Sequence, residues 1–154
     1  MPQYICPSPI GPLTLVEENG ALVAVRWNVD LPRDPAPLAL PATPLLRQAA
    51  AELADYFAGE LREFTVPLAP KGTPFQQKVW AALREIPYGE TRSYKELAIA
   101  IGNEKACRAV GMANNRNPLP ILIPCHRVVG SDGKLVGYAG GLDVKTFLLE
   151  LEKK

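Results

Sequence analysis

Histidine and cysteine are scarce in this chain of 154 residues, which holds one histidine and three cysteines. His126, Cys6, Cys107 and Cys125 are all it offers of those types, and no two cysteines form a C-x-x-C pair. A structural zinc site ordinarily takes four such ligands, so no metal site is expected. The odd cysteine count leaves at least one thiol free and argues against a disulfide framework. Long apolar runs are also missing. Nothing approaches the roughly 18 consecutive apolar residues of a membrane span, and the N-terminus lacks a signal-peptide pattern. A cytosolic or nuclear chain is expected, cytoplasmic rather than membrane-bound.

What is present fits a folded protein of one domain, or of two small ones with a tight border. With 47% hydrophobic residues, 21% charged residues and 16 prolines, the chain is too apolar for disorder and too broken by proline for a coiled coil. The formal net charge of +1 conceals an asymmetry. Residues 1–70 carry four Lys and Arg against eight Asp and Glu, a net of −4, whereas residues 71–154 carry thirteen against eight, a net of +5. Such a split suggests that the basic half meets an anionic partner.

Residues 3–6, 13–16 and 21–27 are rich in Ile, Leu and Val, and Asn19-Gly20 is a hairpin-turn signal, so the front half opens with a small antiparallel sheet. The proline-rich stretch from Asp30 to Pro44 precludes regular structure. Leu45, Leu46, Ala49, Ala50, Leu53 and Phe57 then recur at helical spacing, which predicts a helix over about 44–58 packed on that sheet. Phe64 to Pro67 reads as one more short strand, and Leu68 to Gly72 as the linker where the charge changes sign.

The back half is more sharply punctuated. Thr73-Pro74-Phe75-Gln76 is a capping-box start for a helix with Phe75, Val79, Leu83 and Ile86 on one face. Ser93-Tyr94-Lys95-Glu96 is a second capping box, opening a short helix through Leu97 and Ile101 that Gly102-Asn103 ends. A third helix follows from about Glu104 to Asn114, giving a helix-turn-helix candidate that is either a DNA reader or a packing unit. Lys95, Lys105, Arg108 and Arg116 favour the first reading. Ala106, Ala109, Gly111 and Ala113 leave little side chain on the third helix, so a partner's backbone can approach it, with Arg108 as its long central cation; alternatively Arg108 snorkels from a buried helix. Leu119 to Pro124 reads as an extended buried segment, barred by three prolines from a regular ladder. A last helix over about 143–152 shows Val144, Phe147, Leu148 and Leu151 as one buried face.

Cys125 beside the only histidine is the most chemical feature of the chain. A thiolate is the nucleophile, and a free thiol with a pKa near about 8.5 is only about 3% ionised at neutral pH, so it needs a base or cation. Residues adjacent in sequence do not automatically touch, and an inert thiol beside a surface histidine stays open on spacing alone; Cys6 and Cys107 take the inert reading.

Pro124-Cys125-His126-Arg127-Val128, preceded by Asn117-Pro118 and followed by Gly137-Tyr138-Ala139-Gly140-Gly141, resembles the active-site signature of the O6-alkylguanine-DNA alkyltransferases. The resemblance runs from about Thr73 to Glu152 and includes Tyr88-Gly89-Glu90-Thr91, Ser93-Tyr94 and Arg108-Ala109-Val110-Gly111; the front half matches only in layout. It implies an α+β fold: an N-terminal ribonuclease H-like roll over 1–68, then a mainly helical DNA-binding and alkyl-transfer domain over 73–154. The implied reaction is single-turnover repair, in which an alkyl group passes from O6-alkylguanine to Cys125, with O4-alkylthymine left open as a second substrate.

Laid onto positions, the resemblance makes His126 a base acting through water, Glu152 its orienting carboxylate, Tyr94 a proton donor and phosphate contact, and Asn117 a hinge. Arg108 matches the finger that fills the space of a flipped nucleotide, on a helix entering the minor groove. Lys95, Asn103, Ser131 and Gln76 fall at backbone-contact positions, and Pro120, Val128, Tyr138, Ala139 and Gly140 at the substrate pocket. The implied partner is double-stranded DNA containing alkylated guanine, met by a monomer with no cofactor. Ala139 departs from the serine of human-type members, and Cys107 stands where alanine is common. Two rivals remain: a non-catalytic alkyltransferase-like binder, whose mark is loss of the nucleophilic cysteine, and a sequence-reading regulator on the same helix-turn-helix.

Overall fold

The computed structural model describes residues 3–27, 43–130 and 141–153. The proline-rich stretch before Thr43 and the site candidates Ser131, Tyr138, Ala139 and Gly140 lie outside the described residues. The chain divides into two compact units, Met1–Pro70 and Lys71–Lys154.

In the first unit, β1 (Gln3–Cys6), β2 (Leu13–Glu18) and β3 (Ala21–Trp27) form an antiparallel sheet in that order. The β2–β3 turn needs two residues with positive φ, and Asn19 and Gly20 supply them at 53° and 79°. Helix α1 (Pro44–Phe57) is capped by Thr43, whose side chain accepts the Leu46 N–H. It buries Leu46, Ala49, Leu53 and Tyr56, so Tyr56 and not Phe57 closes the apolar stripe. Against it the sheet contributes Leu13, Leu15, Leu22 and Val25, all buried.

The strand expected at Phe64 to Pro67 does not form. The Glu52 carboxylate takes the N–H groups of Thr65 and Val66, leaving them no ladder partner. The pairing with β3 falls two residues later, where Leu22 N–H donates to Pro67 O and Ala69 N–H to Leu22 O, both at 2.9 Å.

The second unit is mainly helical. Helix α2 (Pro74–Arg84) begins with the full Thr73/Gln76 capping box, and α3 (Tyr94–Ala100) with that of Ser93/Glu96. After the turn at Gly102, α4 (Cys107–Asn115) starts three residues later than its sequence pattern suggested, because Glu104 to Ala106 form a turn closed by Ala106 N–H to Asn103 O. Trp80 on α2 is buried and donates its indole N–H to Ala113 O of α4 at 2.9 Å.

Strand β4 (Arg92–Ser93) pairs in parallel with β5 (Val128–Val129), which follows a 3-10 turn at Cys125–Arg127. Leu119 to Pro124 are all buried as expected, but they turn and do not run extended: Ile123 N–H returns to Leu119 O at 2.9 Å, and Ile121 takes a φ of 75°. Helix α5 (Leu142–Glu152) is rotated from its expected face. It buries Lys145, Leu148 and Glu152, while Phe147 stays 40% exposed, because the two charged side chains find partners inside the unit. No described helix is long and apolar enough to cross a membrane.

Trp80→Phe keeps an apolar ring but removes the shorter of the two bonds to Ala113 O, leaving it the Arg116 N–H at 3.2 Å. It is expected to destabilise the chain by about 1–2 kcal/mol, a fall of several degrees in thermal midpoint. Calorimetry showing an unchanged midpoint would remove the α2–α4 hydrogen bond from the stability account.

Candidate active site

Cys125 heads the 3-10 turn after the buried Leu119–Pro124 loop, and it is itself only 4% exposed. The positive φ of Ile121 is a conformation that a β-branched residue rarely adopts, so the loop must be held from outside. Asn117 holds it, donating Nδ2 to Ile123 O at 2.8 Å while Oδ1 accepts the Leu119 N–H at 3.0 Å. Asn117 thus braces the delivery loop, whereas the carbonyl of Cys125 is reached by Asn114, whose Nδ2 lies 3.4 Å away.

His126 is fully buried. Its Nε2 lies 2.7 Å from Glu152 Oε2, and its Nδ1 has no hydrogen-bond partner among the described residues. The same carboxylate accepts two bonds from Arg127, Nε to Oε1 at 2.8 Å and NH2 to Oε2 at 3.0 Å, a bidentate fork. Arg127 also donates NH1 to Ile86 O at 2.7 Å and stacks over the Tyr88 ring. Gly89 lets the loop pass close by: its φ is 81°, and a Cβ there would meet Glu152 O at 3.1 Å.

Burial pushes the His126 imidazole below its ordinary pKa, and Arg127 and Lys145 push the same way, against the opposing pull of Glu152. The ring is therefore neutral at pH 7. An ionised Glu152 accepting from Nε2–H fixes the tautomer, which leaves the Nδ1 lone pair available. Lys145, fully buried on α5, donates Nζ to Val128 O. Burial lowers its pKa, while Cys125 acts in the opposite direction.

The β4–β5 pairing places Ser93 opposite Val129 and so brings Tyr94 beside the Cys125 turn. Burial raises the Tyr94 pKa, the Cys125 thiol adds to that, and a hydrogen bond with Asn114 opposes both. Tyr94 therefore stays a protonated phenol across neutral pH.

Cys125, His126, Glu152 and Tyr94 thus converge, with Val128 and Pro120 buried alongside. Arg108, Lys95 and Asn103 are exposed on the helix-turn-helix, away from that buried cluster. Gln76 has its side-chain oxygen committed to the α2 cap through Thr73 N–H. The other two thiols behave differently. Cys6 is buried and its pKa is pushed up to about 11 by burial, while Cys107 is half-buried with Sγ 3.6 Å from Glu104 O.

Sequence reasoning missed three contributors, Arg127, Lys145 and Asn114. Each carried a weak signal. Lys145 stands three residues before Leu148 on the apolar side of α5, and Asn114 four residues after Val110 on the buried side of α4. No group of three or more His, Cys, Asp and Glu that could hold a metal occurs among the described residues.

Two family models match this chain: residues 3–70 match the 6-O-methylguanine DNA methyltransferase ribonuclease-like domain, and residues 74–154 its DNA binding domain. A methylated-DNA–protein-cysteine methyltransferase of Methanosarcina barkeri is 53% identical over 154 residues, covering 97% of this chain and 95% of the relative. One of Mycobacterium leprae is 52% identical over 147 residues, covering 95% of this chain and 88% of the relative. Among solved structures, the Mycobacterium tuberculosis OGT in complex with DNA is similar at a TM-score of 0.87 and 50% identity, with 98% of this chain and 92% of that chain covered.

His126 is the only histidine, so its linkage to stability can be isolated. In the unfolded chain it titrates near about pH 6.5. Below that value the unfolded state takes a proton that the native state refuses, so stability falls as pH falls. Urea unfolding from about pH 7.5 to about pH 5.5 is expected to lose up to about 1.4 kcal/mol per pH unit, and His126→Gln to flatten that slope. An equally steep slope in the variant would show that another group titrates. Sheet, helix-turn-helix, buried Cys125 cluster and near-full-length identity agree, and the chain belongs to the 6-O-methylguanine DNA methyltransferase family.

Proposed function

We propose that Cys125 is the residue alkylated when this methyltransferase repairs O6-methylguanine in DNA. The observation that carries the reading is the fully buried His126–Glu152 contact of 2.7 Å next to the thiol, with Nδ1 left as a proton acceptor. Cys125 Sγ attacks the methyl carbon in line with the C–O6 bond. The S–C bond forms as the C–O6 bond breaks, and both electrons of the broken bond stay with guanine. The thiol proton passes through water to His126 Nδ1, and Glu152 steadies the resulting imidazolium. Guanine leaves with excess charge at O6 and N1, and the phenol of Tyr94 returns a proton to it. The thioether is stable, so each molecule acts once.

O6 within a base stack does not reach a buried thiol, so the nucleotide must be extruded at a cost of a few kcal/mol. The exposed stripe of α4, with Arg108 on the outside and Ala109 and Gly111 beside it, fits close approach to a minor groove. Arg108 would fill the vacated space, while Lys95, Asn103, Gln76 and Ser131 would hold phosphates, contacts that position without reading sequence. Pro120, Val128, Tyr138, Ala139 and Gly140 would line the base pocket. The chain works as a cytoplasmic monomer on duplex DNA.

A duplex carrying methyl-labelled O6-methylguanine tests this. Label is expected on the Cys125 peptide at one methyl per protein, with none transferred to Cys125→Ser. Glu152→Gln is expected to slow transfer by about 10²–10⁴-fold, the range of a general-base contribution. Label found on Cys6 or Cys107, or transfer surviving in Cys125→Ser, would sink the assignment.

A further inference from the structure

Three large apolar side chains stand out as exposed among the described residues: Ile99 at 53%, Met112 at 58% and Phe147 at 40%. Met112 is the most exposed and lies on the helix already argued to face DNA. Helix α4 buries Val110, Ala113 and Asn114. At about 100° per residue, Arg108 and Met112 lie together on the opposite side, four residues and one turn apart. Arg116, exposed at the C-cap, comes one turn further. Read along the helix, the outward face is cation, methionine, cation over about 12 Å.

Met112 is not among the residues that α4 buries, and more than half of it stays open. It instead rims a cavity of about 190 Å³ between the start of α2 and the end of α4, with Phe75, Ala109 and Ala113 as apolar wall and Gln76 and Arg116 as polar edge. None of the lining residues is acidic. A minor groove has the complementary order, with phosphate rails on both rims and the less polar edges of sugars and bases between them, about 6 Å apart. Unbranched methionine is among the side chains that enter a base step from that groove.

We propose that Met112 is a second wedge, inserted into the minor groove one turn beyond Arg108, where it helps unstack the duplex beside the extruded nucleotide. Arg116 sits on the phosphate rim past it, and the cavity behind Met112 gives its side chain room to swing as the groove opens. This rests on the reading of α4 as the DNA-facing helix. The wedge lowers the cost of distortion, so it favours duplex substrates, whose bases must be unstacked, over single strands, whose bases are already free.

The test compares wild type, Met112→Ala, Met112→Leu and Arg108→Ala. Anisotropy gives the affinity of each for the same O6-methylguanine oligonucleotide as duplex and as single strand, and 2-aminopurine beside the lesion reports unstacking. In Met112→Ala the ratio of duplex to single-strand affinity is expected to fall about tenfold, from loss of most of a buried methionine contact, with less 2-aminopurine fluorescence in the complex. Met112→Leu is expected to restore both. Equal losses on duplex and single strand, or a wild-type ratio in Met112→Ala, overturn the wedge. If Arg108→Ala also binds duplex as wild type does, the DNA-facing assignment of α4 fails with it; if Arg108→Ala alone is impaired, the assignment stands and only the wedge falls. A wild-type melting curve for Met112→Ala, expected at so exposed a position, ties any loss to DNA and not to folding.

Discussion

A single buried carboxylate organises the catalytic unit. Glu152 accepts from His126 Nε2, from two nitrogens of Arg127 and, more distantly, from Gly89 N–H at 3.5 Å. It thereby links the last helix, the 3-10 turn of Cys125 and the loop after α2. Removing one partner of such a buried pair typically costs about 3–5 kcal/mol, since the remaining charge stays desolvated. The cluster accordingly holds together or fails together, and its geometry decides the chemistry: with Nε2 committed to the carboxylate, the proton-accepting face of the imidazole is Nδ1.

Two further constraints bring the thiol to that imidazole. The loop before Cys125 bends through an unfavourable φ at Ile121, held by both ends of the Asn117 amide. The short parallel pairing of β4 with β5 then fixes the start of α3 beside the turn, which is why Cys125 helps to raise the Tyr94 pKa. The helix-turn-helix and the Cys125 turn are joined through two paired residues on each side. On the proposed reading, a nucleotide held by the first would be presented close to the second.

Much of this was legible in the chain. Both capping boxes, the Asn19-Gly20 turn and the three-strand sheet formed as read, because each depends on neighbours in sequence. The Phe64 to Pro67 strand failed because Glu52, more than ten residues away, intercepted its N–H groups. The face of α5 was misread for a related reason. Apolar spacing favoured Phe147, whereas Glu152 and Lys145 found partners in His126, Arg127 and the Val128 carbonyl that no periodicity encodes. At the site, the Cys125 motif pointed to the buried Cys125–His126 cluster, while Arg127, Lys145 and Asn114 emerged only once burial showed polar groups that needed satisfying.

Charge explains why a lysine belongs among these residues. Arg127 and Glu152 cancel and His126 is neutral, so Lys145 leaves the buried cluster with one net positive charge while Cys125 remains a thiol. Cys125 lies close enough to oppose the lowering of the Lys145 pKa that burial imposes. A buried cation near the thiol offsets part of the cost that burial sets on a thiolate, the kind of fixed charge that assists a nucleophile without moving atoms. Alkylation at Cys125, as proposed, would remove any such help. A thioether carries no charge, so the proposed product could not offer Lys145 an anion and would gain a methyl group in a site only 4% exposed. On the proposed assignment of Cys125, both changes act against the native packing of the loop that Asn117 braces, and the alkylated form is expected to melt below the free one.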